Sequence, residues 1–187
     1  MYYKPLEKVK EHELKVHAGN YDSFMTVPTS ILPLLNWWIN NIFTSFKQIS
    51  RGNPDIVLFS DASTKAWGGF NETENLRTGG EWSITEQESH INVLELKACQ
   101  LTLQSFCRDK QNLHVRIYMD NTTSCSYILK YGGKVPELDA MAREIWFWCL
   151  ERNIHLSGGH VAGVENCQAD EESRTINDDT EWALQQK

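Results

Sequence analysis

The stretch Asp55 to Phe70, DIVLFSDASTKAWGGF, constrains the fold of this chain more than any other. Its apolar run, Ile56 to Phe59, is bounded by turn residues and reads as a buried strand that ends on a carboxylate, Asp61. Small residues follow, and Gly68-Gly69 then leads into a second apolar position. These glycines are expected to form the turn that lets a second strand pair close beside the first. A charge where a buried strand leaves its sheet is a turn residue or a working residue. The rest of the chain decides between them.

Upstream, residues 4–17 read as a highly charged helix that stops at Gly19-Asn20. Between Val27 and Phe46, apolar residues at 31, 32, 34, 35, 38, 39, 42, 43 and 46 form a helical stripe. Thr29 or Ser30 is expected to cap that helix, with Pro33 in its first turn. Its polar residues are Asn36, Asn40 and Asn41 rather than basic ones, so it suits docking on a protein surface better than on a membrane. The loop Ser50-Arg51-Gly52-Asn53-Pro54 is the expected boundary between a helical segment, 1–54, and a domain spanning 55–175.

From Asp55 the pattern predicts strands at Ile56–Asp61, Ala66–Asn71 and about Gly79–Ser83, joined by turns that include NETENLRTG. A helix from about Ser89 to Cys107 follows, then a strand Val115–Met119 ending on Asp120. Next come a short helix, Asn121 to Leu129, closed by Tyr131-Gly132-Gly133, and a helix from Pro136 to about Glu151. A strand Ile154–Ser157, a loop Gly158–Gly163 and a helix Glu165–Arg174 complete the domain. Three antiparallel strands followed by helix–strand–helix–helix–strand–helix imply an α/β fold, with a five-stranded mixed sheet flanked by helices.

At 187 residues the chain accommodates one full core plus an appendage. It has no apolar run long enough for a transmembrane helix, and its start is too charged for a signal peptide. Five cysteines form no CxxC pair, which points to packing rather than zinc and to a reducing compartment, cytoplasmic or nuclear rather than secreted. The net charge of −7 is uneven: residues 1–54 carry six Lys/Arg against four Asp/Glu, and the remainder carries twelve against twenty-one. A stretch at −9, residues 55–187, does not wrap nucleic acid through its own basic field.

Four acids stand out within it. Asp61 and Asp120 each end an apolar strand, and adjacent parallel strands bring their carboxyl ends to one edge, where ligand sites form. Glu95, in INVLELKA, has mostly apolar neighbours; Asp170 lies near the start of the last helix, in ENCQADEESR. Carboxylates drawn together repel one another and raise their own pKa values, and divalent cations resolve that repulsion. Each acid also has a plainer reading: Asp61 and Asp120 as turn or capping residues, Glu95 as an arginine partner, Asp170 as one of three solvated acids. Their order along the chain is the stronger signal.

That order resembles the ribonuclease H family, with Asp61, Glu95, Asp120 and Asp170 in the positions of its four metal-binding carboxylates. SDAS with WGG, INVLELKA, YMDN and HVAGVENCQADEESR are similar to the family's local words, and His160 precedes Asp170 by the family's ten residues. YYKPLEKVKEHELKVHAGNYDSFMTV followed by LNWWINNI resembles the segment joining polymerase to ribonuclease H in retrotransposon reverse transcriptases, most closely those of the DIRS type. The family's basic protrusion has no counterpart, because only KYGGKV separates Leu129 from Pro136.

The resemblance implies hydrolysis of the RNA strand of an RNA–DNA hybrid with two Mg2+ ions, for which Mn2+ can substitute. Asp61 and Asp170 would share one ion; Asp61, Glu95 and Asp120 would hold the other; His160 would shuttle protons. Asn92, Asn121 and Asn166 are the expected contacts to sugars and 2′-hydroxyls, with Asn166 alternatively capping the last helix. A polymerase domain in cis would supply affinity that the acidic domain lacks, so weak activity is expected in isolation. The rival readings are a DNA-cleaving integrase or transposase core and an inactive scaffold. The first usually has three carboxylates and lacks the His160–Asp170 spacing; the second would have lost an acid.

Overall fold

The computed structural model describes residues 3–46 and 52–174. The chain divides into two compact units, residues 1–50 and 51–187. Residues 50 and 51 of the expected boundary loop lie outside the described residues, as does the tail 176–187 with Trp182.

In the first unit, α1 (Lys4–Val16) ends where the Gly19 N–H donates to the Leu14 carbonyl at 2.7 Å. Gly19 sits at φ +82°, a left-handed conformation that costs glycine little. A short 3-10 turn, Thr29–Ile31, leads into α2 (Leu32–Asn41), with Pro33 in its first turn. Neither Thr29 nor Ser30 caps it through a side chain, and the helix stops before the end of its apolar stripe. The Asn41 side chain donates to the Trp37 carbonyl, and the N–H groups of Thr44 and Ser45 turn back onto the Asn41 carbonyl. Neither helix contains a buried residue.

The second unit is built on a five-stranded sheet of order β3-β2-β1-β4-β5. Its strands are β1 (Ile56–Ala62), β2 (Ala66–Asn71), β3 (Leu76–Glu81), β4 (His114–Met119) and β5 (His155–His160). The first three pair antiparallel, while β4 runs parallel to both β1 and β5. Five helices accompany it: α3 (Ile84–Gln87), α4 (Ile91–Cys107), α5 (Thr122–Leu129), α6 (Pro136–Glu151) and α7 (Cys167–Arg174). Helix α4 packs on β1, β2 and α6, whereas α7 packs on β2, β1 and β3. Nine residues of α4 are buried, so its hydrophobic face is the main wall of the core. Leu58, Leu96, Ile117 and Ile128 are fully enclosed, each contributing about 1.5–3 kcal/mol of burial.

Several boundaries differ from the expected ones for local reasons. Strand β3 starts at Leu76 rather than Gly79, because the hairpin closes over Glu72–Asn75: Asn71 Oδ1 accepts the Glu74 N–H, and Asn75 takes φ +53°. Strand β5 continues through Gly158 and Gly159 to His160 instead of ending at Ser157. The Tyr118 ring occupies the space a side chain at Gly159 would need. Helix α3 was not expected, although its capping box, Ser83 with Glu86, was present in the sequence. The last helix starts at Cys167, after a 3-10 turn at Gly163–Glu165.

Gly68 and Gly69 do not form a turn. They lie within β2, opposite Asp61 and Ser60. A Cβ on Gly68 would collide with the Ala169 carbonyl and the Ser173 N–H of α7, and one on Gly69 would collide with Thr102 of α4. The pair therefore lets helices approach both faces of one strand.

Candidate metal centre

Strands β1 and β4 are parallel neighbours in which Phe59 lies beside Tyr118, so Asp61 and Asp120 emerge level at the carboxyl edge. Helix α4 crosses behind this edge and delivers Glu95. One carboxylate oxygen from each of Asp61, Glu95 and Asp120 lies within 4.8 Å of the others. Asp61 is 5% exposed and Glu95 4%, while Asp120 is half-buried. None of the three forms an ion pair with a lysine or arginine among the described residues.

Burial is the main force raising the Glu95 pKa, to about 9, with the charges of Asp61 and Asp120 adding to it. Burial likewise raises Asp61; the Ser173 hydroxyl opposes that rise, and Asp120 and Asp170 reinforce it. Glu95 Oε2 is buried with no hydrogen-bond partner. Three carboxylates converging with uncompensated charge and an orphaned oxygen form a hard-donor set that fits a divalent cation such as Mg2+ or Mn2+.

The other expected site residues are placed differently. Asp170 is not within the three-acid group; its Oδ1 accepts from Arg174 Nε at 2.7 Å, one turn along α7. His160 ends β5 at the exposed rim, its Nε2 3.0 Å from the Asp120 carbonyl oxygen. As the donor there, Nε2 carries the ring proton. Asn121 caps α5 by accepting the Ser124 N–H at 2.9 Å, and its Nδ2 donates to Asn92 Oδ1 at 2.9 Å. Asn166, expected against nucleic acid, is 1% exposed and has no face to offer a sugar; its Nδ2 donates to the Ser60 carbonyl and to Asp61 Oδ1. Sequence reasoning missed Ser173, whose Oγ donates to Asp61 Oδ2 at 2.6 Å. The one available signal was its position three residues after Asp170.

No protein-family model matches the chain, and a comparison with curated protein sequences found no match. Among solved structures, the chain is similar to LC11 ribonuclease H1, isolated from compost by a metagenomic approach and solved with an RNA/DNA hybrid. That match has a TM-score of 0.53 and 22% identity, covering 63% of this chain and 93% of the other. It is also similar to ribonuclease H1 of Halobacterium salinarum, with a TM-score of 0.54 and 13% identity over 63% and 92% of the two chains. The fold is that of ribonuclease H. A foamy viral protease–reverse transcriptase aligns over 89% of this chain and 28% of the other, at a TM-score of 0.44 and 9% identity.

Within this ribonuclease H fold, residues 130–135 form a tight link from α5 to α6. Tyr131 and Gly132 take positive φ, and the Gly133 N–H donates to Asp139 Oδ1. No protrusion interrupts it, so no basic arm extends from this edge.

Proposed function

We propose that the chain is a divalent-metal-dependent nuclease that hydrolyses the RNA strand of RNA–DNA hybrids. The observation that carries this reading is the convergence of Asp61, Glu95 and Asp120 within 4.8 Å at the carboxyl edge of a ribonuclease H sheet. Asp61, Glu95 and Asp120 would hold Mg2+ or Mn2+, and Asp170 is the nearby acid suited to a second ion shared with Asp61. Bound divalent ions supply an acidified water and neutralise charge at the phosphodiester.

The chain's own residues do the rest. The β1 and β4 ends fix two carboxylates on a rigid sheet, and α4 fixes the third. His160, with its Nε2–H held by the Asp120 carbonyl, keeps Nδ1 available at the rim to take or return a proton. Asn92 uses only its side-chain oxygen internally, leaving Nδ2 as a donor for a 2′-hydroxyl or base edge. Asn121 has one Nδ2 proton left for the same task. Asp170 would have to release Arg174 to join the centre, and exposed pairs of that kind hold weakly in water.

The upstream words that resemble the connecting segment of DIRS-type reverse transcriptases support placing this activity beside a polymerase in a retroelement. A strongly acidic domain with no basic arm is consistent with hybrid affinity coming from that neighbour. The test compares Mg2+-dependent cleavage of hybrid, duplex DNA and duplex RNA, with and without added polymerase, by the wild-type chain and Asp120→Asn. Cleavage confined to hybrid and lost in the variant is expected. Preference for duplex DNA would turn the reading toward an integrase-like core. No metal-dependent cleavage, even with polymerase supplied, would leave a scaffold.

A further inference from the structure

Both oxygens of Asp61 are bonded by side chains from one stretch of chain more than a hundred residues away. Ser173 Oγ lies 2.6 Å from Oδ2, and Asn166 Nδ2 lies 3.3 Å from Oδ1. We infer that Asn166 and Ser173 are positioning residues, a two-point clamp that sets the direction of the Asp61 carboxylate and ties its metal affinity to the docking of α7. This rests on the metal-centre reading above.

The chemistry favours a clamp over incidental packing. A serine hydroxyl has one proton, and Ser173 Oγ has two acceptors in range: Asp61 Oδ2 at 2.6 Å and the Asp170 carbonyl at 2.9 Å. The shorter contact is to a carboxylate, and charge-assisted bonds are the stronger ones. The Asn166 amide divides its two protons between the Ser60 carbonyl, at 3.2 Å, and Asp61. Flipping it would set its oxygen against two others, so the donor assignment follows from its surroundings. Its own Oδ1 is buried and unpartnered, a cost accepted in order to aim the NH2 group. An ionised carboxylate offers about four acceptor positions, so two clamp bonds leave capacity on each oxygen for a cation.

The position of the clamp is fixed independently of Asp61. Ser63 Oγ donates to the Ser173 carbonyl at 2.7 Å and accepts the Ala66 N–H at 3.0 Å, pinning the last turn of α7 to the β1–β2 turn. Gly68 removes the side chain that would hold the α7 backbone away. Ser173 is 1% exposed, so its hydroxyl has no solvent role.

The test measures Mn2+ affinity by electron paramagnetic resonance without nucleic acid, alongside hybrid cleavage and thermal midpoint, for Ser173→Ala and Asn166→Ser. Ser60→Ala is the control: it deletes a fully buried, unpartnered hydroxyl next to Asp61 without touching the clamp bonds. Loss of an outer-shell partner typically weakens metal binding by about 10–100-fold. Ser173→Ala is expected to lose Mn2+ affinity in that range and to lower kcat with little change in KM, while Ser60→Ala stays within about twofold of wild type. If Ser173→Ala does not fold, Asn166→Ser must show the loss. Wild-type affinity in the clamp variants, or an equal loss in Ser60→Ala, overturns the clamp. A wild type that binds Mn2+ but cleaves no hybrid overturns the nuclease reading alone, and the variants still judge the clamp. A wild type that binds no Mn2+ overturns both.

Discussion

The two units depart from the usual partition of side chains in opposite ways. Residues 52–174 enclose carboxylates: Asp61 and Glu95 are nearly inaccessible beside Leu58, Leu94 and Leu96. Residues 3–46 instead expose large apolar groups, with Phe24 at 98%, Phe43 at 97% and Phe46 at 89%, and Ile31 is the one buried hydrophobic side chain among them. The larger unit can tolerate uncompensated charge because its core supplies the burial energy. The smaller unit has no comparable core; its two helices hold their shape through local hydrogen bonds, which alone are marginal at these lengths. Buried charge in one unit and exposed hydrophobic surface in the other both leave free energy for binding to release.

The buried charge offers the largest test of this contrast. Asp120→Asn should lower metal-dependent hybrid cleavage at least about a hundredfold, since metal-centred stabilisation is worth several kcal/mol. Its thermal midpoint should stay level or rise, because the charge that Asp120 places beside buried Asp61 is gone. A fall in stability matching the fall in activity would mean that the acids hold the fold together.

Core packing provides the next test. Leu96→Ala, at a fully enclosed site, should cost about 2–5 kcal/mol in denaturant unfolding. Ile39→Ala, on a residue 70% exposed, should stay within about 0.5 kcal/mol. Comparable losses at both positions would erase the distinction between the units.

Glu95 sharpens it through pH. Its folded pKa of about 9 lies above the ordinary value of 4.5, so over that interval the folded chain holds a proton that the unfolded chain releases. Stability of the metal-free chain should therefore fall as pH rises through this window. Its thermal midpoint at about pH 8 should be a few degrees below that at about pH 5.5. Mg2+ should recover the difference at the higher pH, and Glu95→Gln should flatten the slope. Glu86, lowered to about 2 chiefly by Lys97, acts in the opposite sense but only in more acid solution, as pH falls from 4.5. A midpoint that rises toward pH 8 would mean that Glu95 is ionised without metal.

The smallest effect belongs to the exposed surface. Phe43→Ser should leave the thermal midpoint unchanged and lower the binding of a hydrophobic dye. A destabilised variant would show that the ring is packed.

Much of the site was legible because strand ends and helix faces are local properties. The apolar runs before Asp61 and Asp120 end at one edge whenever their strands are parallel neighbours, and β1 and β4 are. The neighbours of Glu95 mark it as inward-facing, and it is buried. Asp170 could be assigned to a helix but not to a partner. The i,i+4 spacing to Arg174 was available in the sequence, and that is the contact the structure makes. Asn166 was expected to contact nucleic acid or to cap the last helix because nothing adjacent to it in sequence shows that α7 folds down onto β2.

The sequence by itself determined the order of strands and helices, the acids at the strand ends, and the acidic charge of the domain, since these follow from periodicity and composition. Only the tertiary structure decided which side chains face Asp61. Asn166 and Ser173 lie 105 and 112 residues from it, and their approach depends on Gly68 leaving room for a helix backbone against the sheet. Periodicity is encoded within a few residues of chain; contact across a hundred residues exists only once the packing has chosen which faces meet.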